Sequence, residues 1–248
     1  MTEFTTWRSL VDGEEISAIP DSAVYYWPFR ERDNNTVVEL AQNDDATSSG
    51  TTNISNDWFD GYAESGDGTD NEINIGKLPE FWPDELNDGE FSIRFTIETT
   101  TTDSGCPIGT TGENDQLLLP RLNIDGTGTS EDGNLEFIIR DDNSDEFRIG
   151  FDSPPGVNDG NKHRIVLAVD NLQNGDARFA FDGDEKDTTI GDDDGPSNFV
   201  DLVSDAAIFN DGVGGDRTLD ANIDIPILDN KALSSQEIQD DYDEQPWS

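Results

Sequence analysis

The chain has 248 residues, of which 56 are Asp or Glu and 14 are Lys or Arg, so its formal net charge is −42. That charge argues against nucleic acid as a partner, because binding phosphates requires a surplus of Lys and Arg. It also disfavours contact with an anionic membrane surface. No apolar run approaches the roughly 18 residues that a membrane-inserted helix needs. A single β-sandwich can reach this length, so one domain with a sizeable core is expected.

The acidic residues are spread among β-branched and aromatic residues along the chain, which is not the pattern of a disordered acidic tail. At low ionic strength a surface of this charge repels itself and destabilises the compact state. Concentrated salt relieves the repulsion, since the Debye length falls from about 10 Å at 0.1 M to about 3 Å at 1 M. We therefore expect a protein of a halophile, of haloarchaeal origin, in preference to an acidic mesophilic protein.

Short apolar segments, several with a period of two, recur along the chain and are separated by Gly, Asp, Asn and Pro. In residues 91–98, for example, every second residue is Phe or Ile. Such spacing of strands and turns is typical of a sandwich or barrel. The predicted strands, in chain order, are residues 24–29, 91–98, 116–119, 135–140, 147–151, 163–169, 177–182, 205–209 and 223–228.

Turns are predicted at Asp132-Gly133-Asn134 and Asp182-Gly183-Asp184, because glycine supplies the positive φ that tight turns require. Near the end of the chain, Ser234-Ser235-Gln236-Glu237 has the form of a capping box. One short C-terminal helix, ending near residue 243, is therefore predicted. Residues 1–21 are predicted to be an edge strand or an arm that docks elsewhere, and residues 22–248 to be one sandwich domain.

Four segments occur in an order and spacing seen in a known family. They are residues 26–29 (YWPF), 159–167 (DGNKHRIVL), 179–183 (FAFDG) and 222–238, which contains NIDIPILD and LSSQEI. Together they resemble the laminin G-like, concanavalin A-like jelly rolls. The resemblance implies an all-β, antiparallel two-sheet sandwich, with loops at one rim that often carry ligand or Ca²⁺ sites. Lys162 departs from the family pattern, which has Trp there, and Ile225-Pro226 replaces a common Glu-Val-Arg.

Catalytic signals are weak. A nucleophilic triad needs a histidine base, and the single histidine, His163, lies at the start of a predicted strand, where a structural role is favoured. Some glucanases of the resembled fold carry paired carboxylates on one strand. Here the acids of residues 131–136 flank a predicted turn, and residues 141–146 are predicted to be a loop. We predict no catalytic residues and no enzymatic activity.

Three acidic loops, residues 67–71, 141–145 and 192–195, could supply oxygen ligands to Ca²⁺. None has the Gly and Glu spacing of an EF-hand, and solvated loops are favoured in so acidic a chain. A structural Ca²⁺ stays an open alternative without assigned ligands, and no other cofactor is expected. Cys106 is the single cysteine, so it forms no internal disulfide and is expected to be an isolated thiol in a loop.

Aromatic rings supply the best candidates for ligand binding. Sugar-binding β-sandwiches stack exposed rings on pyranose faces, and Trp58 and Tyr62 form the best local cluster, followed by Trp82. The alternative is that these rings belong to the core or cover an edge, since Trp is mostly buried. Trp58, Tyr62 and Trp82 are the predicted ligand-binding residues.

The N-terminal residues lack a basic region followed by an apolar run, so no signal peptide is expected. Folds of the resembled kind usually act outside cells. A viral origin reconciles an extracellular role with the absence of a signal peptide, because virion proteins reach the exterior by assembly and lysis. We therefore hypothesise a non-enzymatic structural or recognition protein at the surface of a haloarchaeal virus particle: a capsid decoration, turret, spike or tail-fibre domain.

The expected partners are other virion proteins, further copies of the chain, and a host surface glycan or glycoprotein. Two alternatives stay open. One is a carbohydrate-binding or adhesion module of a haloarchaeal cell-surface protein, and the other is a diverged glycoside hydrolase.

Overall fold

A computed structural model describes residues 20–27, 29, 36–37, 41, 45–55, 62–111, 116–122, 133–151, 156–193, 195–202, 205–212 and 217–245. Its strands, in chain order, are β1 (Ala23–Tyr26), β2 (Thr36–Val37), β3 (Ala46–Ser49), β4 (Thr52–Ser55), β5 (Tyr62–Asp67), β6 (Glu72–Gly76), β7 (Phe91–Glu98), β8 (Ile108–Thr111), β9 (Leu117–Leu122), β10 (Leu135–Arg140), β11 (Glu146–Phe151), β12 (Lys162–Asn171), β13 (Asp176–Phe181), β14 (Asp184–Glu185), β15 (Thr188–Asp193), β16 (Ala206–Ile208) and β17 (Asp220–Asp229). Helical structure consists of a π-helical segment, Glu80–Glu85, that leads into α1 (Leu86–Asp88), a 3-10 turn, Leu172–Asn174, and α2 (Ser235–Asp243).

These strands form two antiparallel sheets. The first has the order β14-β13-β12-β7-β17-β5-β4, with β1 also paired to β17. The second has the order β15-β11-β10-β9-β8-β16-β6-β3-β2. The predicted all-β class and two-sheet antiparallel architecture are confirmed. Most of the predicted N-terminal arm, residues 1–19, lies outside the described residues, so the domain boundary stays a prediction.

The core lies between the two sheets and is rich in aromatic rings. Every second residue of β7, from Phe91 to Ile97, belongs to it, as the period of two predicted. Phe151 of the second sheet stacks on Phe179 of the first, with ring centroids 4.0 Å apart and planes 10° from parallel. Phe137 meets Phe179 edge-on at 5.0 Å. Stacked and edge-to-face ring pairs of this kind add stabilisation to that of burial alone.

Most strands with an apolar pattern were predicted, β6 being an exception, and the polar strands were not. Each of the nine predicted segments overlaps an observed strand. Unpredicted strands include β3, β4 and β5, which are rich in Ser, Thr, Glu and Gly, and the acidic strand β15. The prediction that residues 192–195 form a solvated loop is wrong in part, because Asp192 and Asp193 end β15, where Asp193 pairs with Phe147 of β11.

The C-terminal helix forms as predicted. Ser234 Oγ accepts a hydrogen bond from the Glu237 amide at 3.4 Å, and the Glu237 carboxylate accepts one from the Ser234 amide at 2.9 Å, which completes the capping box. Ile238 of this helix and Leu233 pack on Val166, Ala168 and Ala180 of the first sheet. No helix in the described ranges is long and apolar enough to span a membrane.

Helix α2 lies beside buried charges on the outward face of the first sheet. Arg94 binds the Asp229 carboxylate through two nitrogens, each at 2.9 Å, and binds Asp241 of α2 at 2.6 Å. Arg164 binds the same Asp241 at 2.7 Å and 3.1 Å. The side chains of Arg94, Arg164, Asp229 and Asp241 are at most 9% exposed. Asp241 therefore joins the helix to strands β7 and β12.

The departure from the family pattern at Ile225-Pro226 coincides with a bulge. Asp224 pairs with Thr96 of β7 and Ile227 pairs with Arg94, so β17 has one extra residue at this point. Proline has no amide hydrogen for a sheet ladder, which explains its position in a bulge. The Pro226 carbonyl still accepts a hydrogen bond from the Trp27 amide at 3.2 Å.

Candidate functional site

Two of the predicted ligand-binding residues stay predictions. Trp58 lies outside the described residues. Tyr62 is the first residue of β5 in the first sheet, and its backbone pairs with Ser55 of β4.

The prediction for Trp82 is wrong. Its side chain is 0% exposed and lies in the core. The indole nitrogen donates to the Val200 carbonyl at 2.8 Å, and the ring meets Phe199 edge-on at 5.2 Å. Asn87 exchanges two hydrogen bonds with the backbone of Phe199, at 2.9 and 3.0 Å, which holds the 195–202 segment over the indole. Because the ring is closed off on all sides, it cannot stack on a sugar.

A polar cleft lies at the end of β7, on the outward face of the first sheet. Glu98 pairs across the sheet with Asn222 of β17 on one side and with Lys162 of β12 on the other. Paired residues point to the same face, and the preceding and following positions, Ile97 and Ile223, point into the core. The cleft has a volume of about 180 Å³ and is lined by residues 98–100, 160 and 220–222.

Hydrogen bonds fix the walls of this cleft. Asn222 donates to Glu98 at 3.1 Å, and the Thr99 hydroxyl donates to the Asp220 carbonyl at 2.6 Å. The Gly160 amide donates to the Thr99 carbonyl at 3.0 Å. Gly160 has a φ of +82°, and a Cβ there would lie 3.1 Å from the Thr100 methyl group, so glycine keeps this wall open.

Several polar atoms of the lining remain available to a ligand. Within the described part of the chain, the Asp220 carboxylate and the Thr100 hydroxyl make no hydrogen bond, and both residues are exposed. The lining residues that the structure describes therefore offer carboxylate, amide and hydroxyl groups, and none of them is aromatic or basic. Its volume is below the roughly 300–1,000 Å³ of pockets for drug-sized ligands, so a single small polar group or ring fits its dimensions.

His163 holds the loop beside the cleft. Its Nδ1 lies 2.8 Å from the Asp182 carboxylate and its Nε2 lies 3.0 Å from that of Asp159, next to Gly160. Burial alone lowers the pKa of His163, but the hydrogen bonds to Asp182 and Asp159 outweigh it, so the pKa is raised above its ordinary value. The prediction that His163 starts a strand holds, since β12 begins at Lys162.

Two of the three acidic loops predicted as alternative Ca²⁺ sites use a carboxylate in backbone hydrogen bonds. Asp141 is fully buried and accepts hydrogen bonds from four amides, those of Asn143, Asp145, Ser197 and Asn198, at 2.8 to 3.1 Å. Asp67 accepts from the Thr69 amide at 3.0 Å and from its hydroxyl. Among the residues with described positions, no group of three or more His, Cys, Asp or Glu is arranged to hold a metal.

Cys106 is a buried thiol. It is 0% exposed and packs against Leu117 and Ile138, and its Sγ lies 3.2 Å from the Ile108 carbonyl. Burial raises the pKa of the thiol well above its ordinary value. The expected loop position is correct, but the thiol is closed to solvent and therefore unreactive.

The sequence did not reveal the cleft, because its residues are far apart in the chain. Positions 98, 160 and 222 meet only through the register of β7, β12 and β17. Aromatic clusters are the local signal of sugar binding, and the described lining residues of this cleft include no aromatic ring. The one available signal was Asp159-Gly160, in which glycine precedes a predicted strand as a turn residue.

No family model and no curated protein matches the chain. Solved structures share its fold at low identity. The receptor binding domain of a botulinum neurotoxin C/D mosaic serotype is 15% identical with a TM-score of 0.66, over 92% of this chain and 52% of that one. The ligand binding domain of botulinum neurotoxin serotype D, in complex with N-acetylneuraminic acid, is 17% identical with a TM-score of 0.60, over 91% and 51%. A Trypanosoma rangeli sialidase in complex with the inhibitor DANA is 12% identical with a TM-score of 0.56, over 92% and 33%.

The chain thus spans about half of the two neurotoxin domains and a third of the sialidase. At these identities the likeness shows the fold alone, and that fold is a two-sheet antiparallel β-sandwich. The finer resemblance to laminin G-like domains and the haloarchaeal origin stay predictions.

Proposed function

We propose that this chain is a non-catalytic recognition module that binds a hydroxyl-rich surface ligand, a glycan, in concentrated salt. The polar cleft beside Glu98 is the observation that carries the proposal. Its carboxylate, amide and hydroxyl groups are the types that exchange hydrogen bonds with sugar hydroxyls. The same β-sandwich fold serves receptor and ligand binding in the two neurotoxin domains, which supports a recognition role.

The setting that we propose is the surface of a haloarchaeal virus particle, where the module meets a host surface glycan or another virion protein. The net charge of −42 supports a medium of concentrated salt. A role as decoration, spike or fibre is consistent with a binding fold that carries its cleft on an outward face of one sheet.

Binding of labelled protein to an array of neutral, amino and acidic glycans in molar KCl tests the recognition role. We expect saturable binding to at least one glycan class without release of free sugar. A lack of binding to every class would refute glycan recognition, and hydrolysis of a bound glycan would establish the alternative of a diverged glycoside hydrolase.

Immunoblotting of purified haloarchaeal virus particles and of host cell envelopes tests the setting separately. We expect the protein in the particles at a fixed ratio to the main capsid protein. Its presence in envelopes of uninfected cells would establish the adhesion-module alternative.

A further inference from the structure

We infer that the cleft beside Glu98 selects an uncharged pyranose ring and rejects anionic sugars. This inference rests on the proposed recognition of a glycan and adds the site and the class of sugar. Its basis is the charge of the lining, which contains the carboxylates of Glu98 and Asp220 and, among the described residues, no Lys, Arg or His.

An anionic sugar would bring a third carboxylate into a space of about 180 Å³. Salt screens distant charges, but groups in contact lie within the Debye length of about 3 Å at 1 M and continue to repel. Lys162 is the basic residue paired with Glu98 across the sheet. It lies on the side of Glu98 away from Asn222 and is not part of the cleft lining. A bound anion would therefore lose water without gaining a positive partner, which is costly.

A neutral ring satisfies the same lining. Each sugar hydroxyl can donate to a carboxylate, and the Asp220 carboxylate accepts no hydrogen bond from the described residues. The Asn222 amide and the Thr100 hydroxyl can donate to sugar oxygens in return. A hydrogen bond to a charged acceptor is stronger than one between neutral groups, so Asp220 supplies the main attraction.

The experiment is isothermal titration of the full chain in molar KCl with the methyl glycosides of glucose, galactose and mannose, and with N-acetylneuraminic acid. The variants are Asp220→Ala and Asn222→Ala, and the control is Asn143→Ala, an exposed asparagine in the β10–β11 turn of the other sheet. Circular dichroism of every variant confirms that it is folded.

We expect at least one neutral glycoside to bind and N-acetylneuraminic acid to show no saturation. Each cleft variant should weaken the affinity for the neutral glycoside by about 3- to 10-fold, the equivalent of one hydrogen bond. Asn143→Ala should leave that affinity unchanged. Equal binding by wild type and both folded cleft variants would place the site elsewhere and leave glycan recognition intact. Preferential binding of N-acetylneuraminic acid, weakened by Asn222→Ala, would overturn the inference that the cleft selects uncharged sugars. Failure of all four sugars would overturn this inference, and the glycan array described above would then decide whether glycan recognition itself is refuted.

Discussion

His163 lies between two carboxylates, and both ring nitrogens can donate only if the imidazole is protonated. Other charged or titratable groups near this pair are Lys162 on the same strand, Glu98 on β7, Asp184 and Lys186 beyond the turn at Asp182, and Tyr242 and Asp243 on α2. The folded pKa of His163 is raised. Its stabilising contribution is therefore complete below the unfolded pKa of about 6.5 and is lost as the pH rises through the folded pKa.

We predict that His163→Gln destabilises the fold more at acidic pH than at alkaline pH. The measurement is the difference in unfolding free energy between wild type and variant, from denaturant titrations on both sides of neutrality. Lys162→Gln, on the same strand, leaves both hydrogen bonds of His163 in place, so its effect should be similar on both sides of neutrality. A pH-independent effect of His163→Gln would show that the ring is held in its neutral form.

A second prediction concerns Asp141, whose carboxylate accepts four backbone hydrogen bonds in a buried position. Asp141→Asn keeps the shape but replaces one acceptor by a donor that faces amides. We expect a loss of about 1.5–3 kcal/mol in unfolding free energy, the range for hydrogen bonds to charged groups. Asp187→Asn, at an exposed position, should cost nothing. Equal stability of the two variants would show that water replaces the carboxylate.

At the scale of elements, α2 is attached to the first sheet through a carboxylate that two arginines share. The guanidinium groups of Arg164 and Arg94 outweigh the effect of burial, and the pKa of Asp241 falls to about 2. Buried ion pairs are screened by salt much less than exposed ones. This attachment therefore remains effective in concentrated salt, where surface pairs contribute little.

We predict that Asp241→Asn lowers the free energy of unfolding by about 3–5 kcal/mol, because it leaves Arg164 and part of Arg94 buried without a compensating charge. Asp240→Asn on the same helix removes a partly exposed carboxylate and should change stability by less than about 0.5 kcal/mol. Denaturant unfolding at two molar salt concentrations should give the same cost for Asp241→Asn. If the loss of unfolding free energy disappears at the higher salt concentration, solvent reaches the buried ion pairs of Asp241.

The strands that the sequence predicted owe their apolar pattern to a face that meets the core between the two sheets. The apolar side chains of β7 alternate because only one of its faces meets the core. β4 and β5 have little apolar patterning. Backbone pairing with β17 defines β5, and pairing with β5 in turn defines β4. The buried polar residues Ser92, Arg94 and Thr96 were also unpredictable from β7 itself, because their partners lie on β12, on β17, on the segment between β17 and α2, and on α2. The cleft depends on the same register, so local patterns could not locate it.

Two opposing effects determine the stability of the whole molecule: burial of a large aromatic core and a net charge of −42. Burial of the core favours the compact state at any salt concentration. Repulsion between the carboxylates opposes it, and that repulsion grows as the Debye length increases from about 3 Å at 1 M to about 10 Å at 0.1 M.

We predict that dialysis from molar KCl to dilute buffer unfolds the protein reversibly, seen as loss of the β-sheet signal in circular dichroism. Replacing the exposed Asp187 and Glu185 by Asn and Gln should lower the salt concentration at the transition midpoint, since it reduces the repulsion. An unchanged spectrum and melting temperature in dilute buffer would contradict the assignment to a halophile.

The first sheet ends at β14, a strand of two exposed residues, Asp184 and Glu185. In brine their mutual repulsion is screened, but each carboxylate still carries tightly held water, which a newly added strand would have to strip away. The strand is also too short to form a long series of backbone hydrogen bonds with an added strand. Fibrous growth is therefore discouraged at this border, and any array built from this chain would have to join its copies elsewhere.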